Sequence, residues 1–207
     1  MTRRLQSSGP PQLDLLGGDV TRPAEVHRLF LALLPDAATR TRLAQAADGL
    51  RASQPGLHAR WVNPARYHAT LHFLGDHALL RQDVVAAATA AADRLRTTSF
   101  EWVLDQAASF RGRQPPCILR GAGVPEPLHQ LWRELRHALT LAGQGRHLER
   151  SFTPHVTLAY SHGALLDPMP VEPVAWQVDR VALVHSVVGQ PDYQILADWP
   201  LPEPAPE

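Results

Sequence analysis

A single cysteine, Cys117, is present in the 207 residues, which excludes an internal disulfide and a zinc site built on cysteines. Its setting in Pro116-Cys117-Ile118-Leu119 reads as a small buried residue on a strand. Net charge is also missing. Lys and Arg together number 20 and Asp and Glu 20, so any contact with a polyanion must come from a local cluster and not from a global field. No apolar run reaches the roughly 18–20 residues that a membrane helix needs. Arg3 and Arg4 are not followed by an apolar segment, so the N-terminus does not read as a signal peptide. A cytoplasmic monomer without membrane contact is the expectation. What the chain has in quantity is core material. Hydrophobic residues make up 44% and charged residues 19%, a balance that belongs to a folded globule and not to a disordered chain.

Residues 1–26 read as a flexible tail, because Gln6-Ser7-Ser8-Gly9-Pro10-Pro11 and Gly17-Gly18 are turn and linker material. Residues 27–201 read as one bilobal domain, and the proline-rich 202–207 as a second tail. Arg28 to Leu34 is a short apolar run closed by Pro35-Asp36, which predicts a strand entering a turn. Asp36 is then placed as the N-cap of a helix to about Leu50, with Ala38, Leu43, Ala46, Ala47 and Leu50 as its apolar stripe. Strand material follows at 60–62 and 67–74, the latter ending at Gly75-Asp76, and a helix at 83–95. Phe100 to Leu104 and Phe110 flank further strand material. In the second half, Ile118 to Arg120 predicts a strand. Leu128, Leu131, Trp132, Leu135 and Leu139 then mark a helix closed by Gly143 to Gly145. Strands are expected at 152–160, at Trp176 to His185 and at Tyr193 to Leu196. The order of strand, proline, helix, strand and motif strand occurs twice. This predicts an α+β fold of two pseudo-symmetric lobes, with antiparallel sheets lining a central cleft and helices outside.

The same four-residue pattern appears in both halves: His68-Ala69-Thr70-Leu71 and His155-Val156-Thr157-Leu158. Strand side chains alternate between faces, so His and Thr at i and i+2 point one way and the leucine points into the core. A helix would put i and i+2 on different faces. Two such strands side by side present two imidazoles and two hydroxyls to one cleft, which is equipment for acid–base chemistry on a phosphate. Opening a cyclic phosphodiester needs a base for water and a proton for the departing oxygen, and imidazole serves as either near neutral pH. The hydroxyls of Thr70 and Thr157 are then placed to hold the non-bridging oxygens, each worth about 2–4 kcal/mol in the transition state. His72, two beyond Thr70, is predicted to share the cleft face, either as a substrate contact or as a solvated strand-end histidine. No Asp or Glu shares that face within the motif, so neither metal nor cofactor is expected. Arg60, Arg66, Arg111, Arg113, Arg146 and Arg150 are candidates for a local phosphate-binding funnel. Trp61, Tyr67, Phe110 and Phe152 read as core residues, any of which can also stack on a base.

At these residues the sequence resembles the 2H phosphoesterase superfamily. More closely it resembles the bacterial and archaeal RNA 2′,3′-cyclic phosphodiesterases, also called 2′-5′ RNA ligases. The matching text is Arg28-Leu29-Phe30-Leu31-Ala32-Leu33, then Arg60-Trp61-Val62 leading to His68 through Gly75. It continues with Arg150-Ser151-Phe152-Thr153-Pro154-His155-Val156-Thr157-Leu158-Ala159, and with Val181 to Ser186 and Tyr193, which are similar to the family's closing strands. The resemblance implies a metal-independent hydrolase acting on RNA 3′ ends or on nucleoside 2′,3′-cyclic phosphates. It implies His68 as proton donor to the leaving 3′-oxygen, His155 as the base for water, and Thr70 and Thr157 as phosphate ligands. The spacing leaves the two histidine roles interchangeable. Family members often carry Arg directly after the Thr-Leu-Ala of the second motif. Here that position is Tyr160, so that contact is either missing or supplied by Arg150; Phe152 is a further candidate substrate contact. Open alternatives on the same fold are 2′-5′ ligation or ADP-ribose cyclic phosphate as substrate. An alternative of another class is a non-catalytic module that binds RNA ends.

Overall fold

The first strand shows how the sheets are built. In β1 (His27–Leu33), Leu29, Leu31 and Leu33 are buried in the main core, while Phe30 and Ala32 are buried on the opposite face. A strand covered on both sides reads as the continuous apolar run seen in the sequence. The computed structural model describes residues 25–204. Residues 1–24 of the expected N-terminal tail lie outside the described residues. The expected C-terminal tail begins one residue after Leu201, which is buried, and the Pro202 carbonyl still accepts the Ser99 N–H at 2.8 Å.

After β1 comes α1 (Ala37–Ser53), started where Asp36 accepts a hydrogen bond from the Thr39 N–H at 2.6 Å. Thr39, Leu43, Ala47 and Leu50 are its buried residues. Ala38, expected on that stripe, is exposed, because the buried face begins one residue later. Then follow β2 (Ala59–Trp61), a 3-10 turn at Pro64–Arg66, β3 (Ala69–His77) and α2 (Gln82–Ala92). The third strand runs past its expected end because Gly75 takes a φ of +114°, a conformation that suits glycine. Next come β4 (Phe100–Ser109), β5 (Pro116–Arg120) and α3 (Glu126–Leu141). All five residues of the expected α3 stripe are buried. Each large apolar side chain buried there contributes roughly 1.5–3 kcal/mol. Past the helix end, Gly143 has a φ of +81° and the Gln144 N–H bonds the Leu139 carbonyl. The chain closes with β6 (Val156–Ser161), β7 (Met169–Val178), β8 (Arg180–Val187) and β9 (Tyr193–Pro200).

Two antiparallel sheets result, ordered β3-β1-β8-β9 and β2-β6-β5-β4-β7. Four strands of one match four of the other: motif strand, opening strand, then two more. The repeat is not complete. The segment before the second motif holds a 3-10 turn at Gly145–His147 in place of a strand, and β2 leaves the first lobe to pair with β6 of the second. The helices are exchanged as well. The first-half helix α1 packs on β7 of the five-stranded sheet, and α3 of the second half packs on β3 of the four-stranded sheet. The first-half helix α2 also packs on β8, so the four-stranded sheet carries a helix from each half. Trp102 and Trp176, paired across β4 and β7, stack with ring centroids 5.6 Å apart in the core. Cys117 is fully buried. Among the described residues no helix is long and apolar enough to cross a membrane.

Candidate active site

The two motifs enter their strands in the same way. His68 stands one residue before β3 and His155 one residue before β6. The Nδ1–H of His68 donates to the Arg66 carbonyl at 2.8 Å, and the Nδ1–H of His155 to the Thr153 carbonyl at 2.7 Å. A carbonyl only accepts, so both contacts fix the hydrogen on Nδ1 and leave Nε2 as the titrating atom. Aromatic rings hold each imidazole in place: Phe30 at 5.0 Å and Tyr193 at 5.5 Å from His68, Phe110 at 4.8 Å from His155. Burial pushes both imidazoles below their ordinary value. In His68 the Arg66 carbonyl offsets part of that, and the charges of His155 and Arg66 lower it further.

The threonines follow on the same face. Thr70 pairs with Ala32 of β1 and Thr157 with Ile118 of β5. Leu71 and Leu158 are buried in the main core, as the alternation predicts. One residue further on the alternation breaks, in both strands at the same place. Ala32 faces Thr70 but Leu31 faces His72, and Ile118 faces Thr157 but Cys117 faces Ala159. Each motif leucine is the extra residue of a β-bulge, which shifts the following side chains to the other face. His72 is therefore not in the cleft. It is 2% exposed, its Nε2–H donates to the Trp132 carbonyl at 2.9 Å, and its ring stacks on Trp132 of α3. Phe73 and Tyr160 take the cleft-facing positions instead.

His68, His155, Thr70 and Thr157 together line one cleft of about 920 Å³. Its walls carry Arg28, Arg60 and Arg66, and among the described residues none that lines it is acidic. Arg28 is held by both oxygens of Asp76 at 2.8 Å, and that guanidinium keeps the Asp76 carboxyl below the usual carboxylate range. Arg66 donates to the Gln190 and Pro191 carbonyls and lies over the Tyr193 ring, 4.2 Å from its centroid. Arg60 lies over Tyr160 at 5.1 Å, its partner in the strand register. Such a surface attracts an anion and offers it two imidazoles and two hydroxyls.

The other expected contacts fall elsewhere. Arg150 is exposed in a separate groove with Trp132, Arg133 and Arg136. Phe152 stacks on the far side of Trp132, 5.3 Å away, and lines a different pocket. Both belong to the segment before the motif, which turns along α3 before β6 reaches the cleft. Of the six arginines expected as a funnel, Arg60 and Arg66 line the cleft and Arg111, Arg113, Arg146 and Arg150 do not. Of the four possible stacking rings, Trp61 lines it, Phe110 supports His155, and Tyr67 is core. Sequence reasoning missed Arg28, Phe73 and Tyr160 as site residues. Among the described residues no group of three or more His, Cys, Asp or Glu converges as metal ligands do.

Comparison with known proteins places this geometry. Residues 33–119 match the family model described as LigT like phosphoesterase. No curated protein matches the chain. Among solved structures, apo LigT of E. coli is 28% identical and superposes with a TM-score of 0.70 over 86% of this chain and 99% of its own. E. coli LigT complexed with 3′-AMP is 27% identical with a TM-score of 0.68 over 86% and 99%. TT0787 of Thermus thermophilus, 24% identical over 85% and 98% with a TM-score of 0.64, shares the fold. By this match and these superpositions the chain is similar to the LigT-like phosphoesterases of the 2H phosphoesterase superfamily.

Proposed function

We propose that the protein hydrolyses 2′,3′-cyclic phosphates, at RNA 3′ ends or on nucleosides, to 2′-phosphates, without a metal. The observation that carries this reading is the pair of imidazoles, each oriented by its own backbone carbonyl, in one arginine-walled cleft free of carboxylates. The solved complexes of E. coli LigT with 3′-AMP and ATP support a nucleotide as occupant. In the reaction, water attacks phosphorus while Nε2 of one neutral histidine takes its proton. The P–O3′ bond breaks, and the other histidine, as imidazolium, gives its Nε2 proton to the departing 3′-oxygen. The 2′-oxygen keeps the phosphate. Thr70 and Thr157 donate to the non-bridging oxygens, where charge accumulates.

By the family resemblance His68 is the acid and His155 the base. One feature favours the reverse: the charge of Arg66 disfavours a proton on His68, whereas the repulsion between the two imidazoles is mutual and favours neither assignment. A substrate with sulfur in place of the 3′-oxygen separates the two, because a thiolate leaves without a proton. Only the variant lacking the acid regains activity on it.

The proposal is tested by following a nucleoside 2′,3′-cyclic phosphate in EDTA by 31P NMR. Wild type yields the 2′-phosphate alone, and His68→Ala and His155→Ala each lose at least about a thousandfold in kcat, a few kcal/mol of transition-state stabilisation. Failure of wild type to turn over, or full activity of either variant, overturns it.

A further inference from the structure

The cleft's two halves are built alike but charged differently. In the first lobe the guanidinium of Arg28 lies over Phe73, 5.7 Å from the ring centroid, and two of its nitrogens are bound by Asp76. That side is neutral. In the second lobe Arg60 lies over Tyr160, is exposed, and has no carboxylate partner among the described residues. The third cleft arginine, Arg66, is tied down by Nη1, which donates to the Gln190 and Pro191 carbonyls, and by Nη2, which reaches the Ser186 hydroxyl. Among the described residues Arg60 is thus the cleft arginine whose guanidinium has neither an ion-pair nor a hydrogen-bond partner. It stands on β2, the strand without a counterpart in the repeat, and in register with Tyr160.

Tyr160 is three residues along β6 from Thr157 with one bulge between, so it lies roughly 7–10 Å from the phosphate-holding hydroxyl. That separation is comparable with the length of one nucleotide. A guanidinium lying flat on a ring keeps its edges free, and those edges match a phosphate in two parallel hydrogen bonds. A cation beside an aromatic platform is also how single strands are tracked without regard to sequence.

We propose that Arg60, supported on Tyr160, is the subsite for the phosphodiester that precedes the cyclic end, and that it makes the enzyme prefer an RNA chain to a mononucleotide. This rests on the proposed cyclic phosphodiesterase reading. The test compares kcat/KM for a nucleoside 2′,3′-cyclic phosphate and for a tetranucleotide with the same end, in wild type, Arg60→Ala and Arg60→Lys. Arg60→Ala lowers kcat/KM for the tetranucleotide roughly 10–100-fold, the worth of one charged hydrogen-bonding partner, and that for the mononucleotide by much less, so the ratio of the two falls. For the tetranucleotide the slope of log(kcat/KM) against log salt becomes shallower by about 0.7. Arg60→Lys recovers the slope but only part of the rate, since it keeps the charge and loses the planar fork. Equal losses on both substrates, or none on either, overturn the subsite and leave the activity standing. A wild type that hydrolyses neither substrate overturns both.

Discussion

Each motif histidine spends one nitrogen on position and keeps the other for chemistry. The carbonyl two residues back takes the Nδ1–H in both cases, so rotation of the imidazole is opposed before any substrate arrives. Burial lowers the proton affinity of both rings, which has a consequence for pH. The acid must enter the reaction protonated, and a lowered pKa means its proton is lost earlier as pH rises. The kcat/KM profile, which reports the free enzyme, is therefore bell-shaped with its maximum on the acid side of neutrality. Bound phosphate favours the imidazolium, so the kcat profile lies at higher pH. Rates from about pH 4.5 to 9 check this, and a kcat/KM maximum well above pH 8 contradicts it. The threonines belong to a different class of effect. Thr70→Ala and Thr157→Ala lower kcat by about 10²–10³ with smaller changes in KM, because their hydrogen bonds strengthen as charge builds on the phosphate. Thr70→Ser and Thr157→Ser keep most of the rate.

At the scale of elements, the two β-bulges decide what the cleft is made of. Strand alternation made His68, Thr70, His155 and Thr157 readable from the sequence, and the buried stripe of α3 was readable from its helical spacing. Alternation also placed His72 in the cleft, and there it failed. A bulge is set by how two strands pair, and nothing in the text of one strand announces it. The same shift hid Phe73 and Tyr160. The remaining errors, Arg150 and Phe152, came from nearness in sequence to His155, which the turn along α3 undoes. The role that His72 does have is a structural one. It ties β3 to α3 through the Trp132 carbonyl and ring, and burial pushes its imidazole down to about 4. Between that value and an unfolded value near 6.5, the unfolded chain binds more protons, so stability rises with pH across this window by up to about 3 kcal/mol. Denaturant unfolding of His72→Leu at a series of pH values should show that rise removed. At pH 7 the same variant should lose about 1–3 kcal/mol, because the Trp132 carbonyl is left without its side-chain donor. An unchanged slope between pH 4 and 6.5 contradicts this placement of His72.

For the whole molecule, the duplication explains how a neutral chain would hold the anion that the proposed function requires. Three arginines stand where the lobes meet, and among the described residues the acidic side chains lie outside the cleft lining. The exchange of helices has a mechanical meaning. With α1 covering the five-stranded sheet and α3 joining α2 over the four-stranded one, each lobe takes a helix from the other half, so the distance between the histidines is set by the packing of both. The lobes should unfold in one transition, seen as coincident denaturant curves for tryptophan fluorescence and far-UV circular dichroism. They should also act as one catalytic unit. The central claim is that His68 and His155 serve a single phosphate from opposite lobes, and residues that act as a unit are not additive. The most direct measurement is kcat for a nucleoside 2′,3′-cyclic phosphate in EDTA by wild type, His68→Ala, His155→Ala and the double variant. The prediction is that each single variant loses nearly all activity and the double variant is no slower than the singles. A double variant whose loss is the product of two moderate single losses contradicts it.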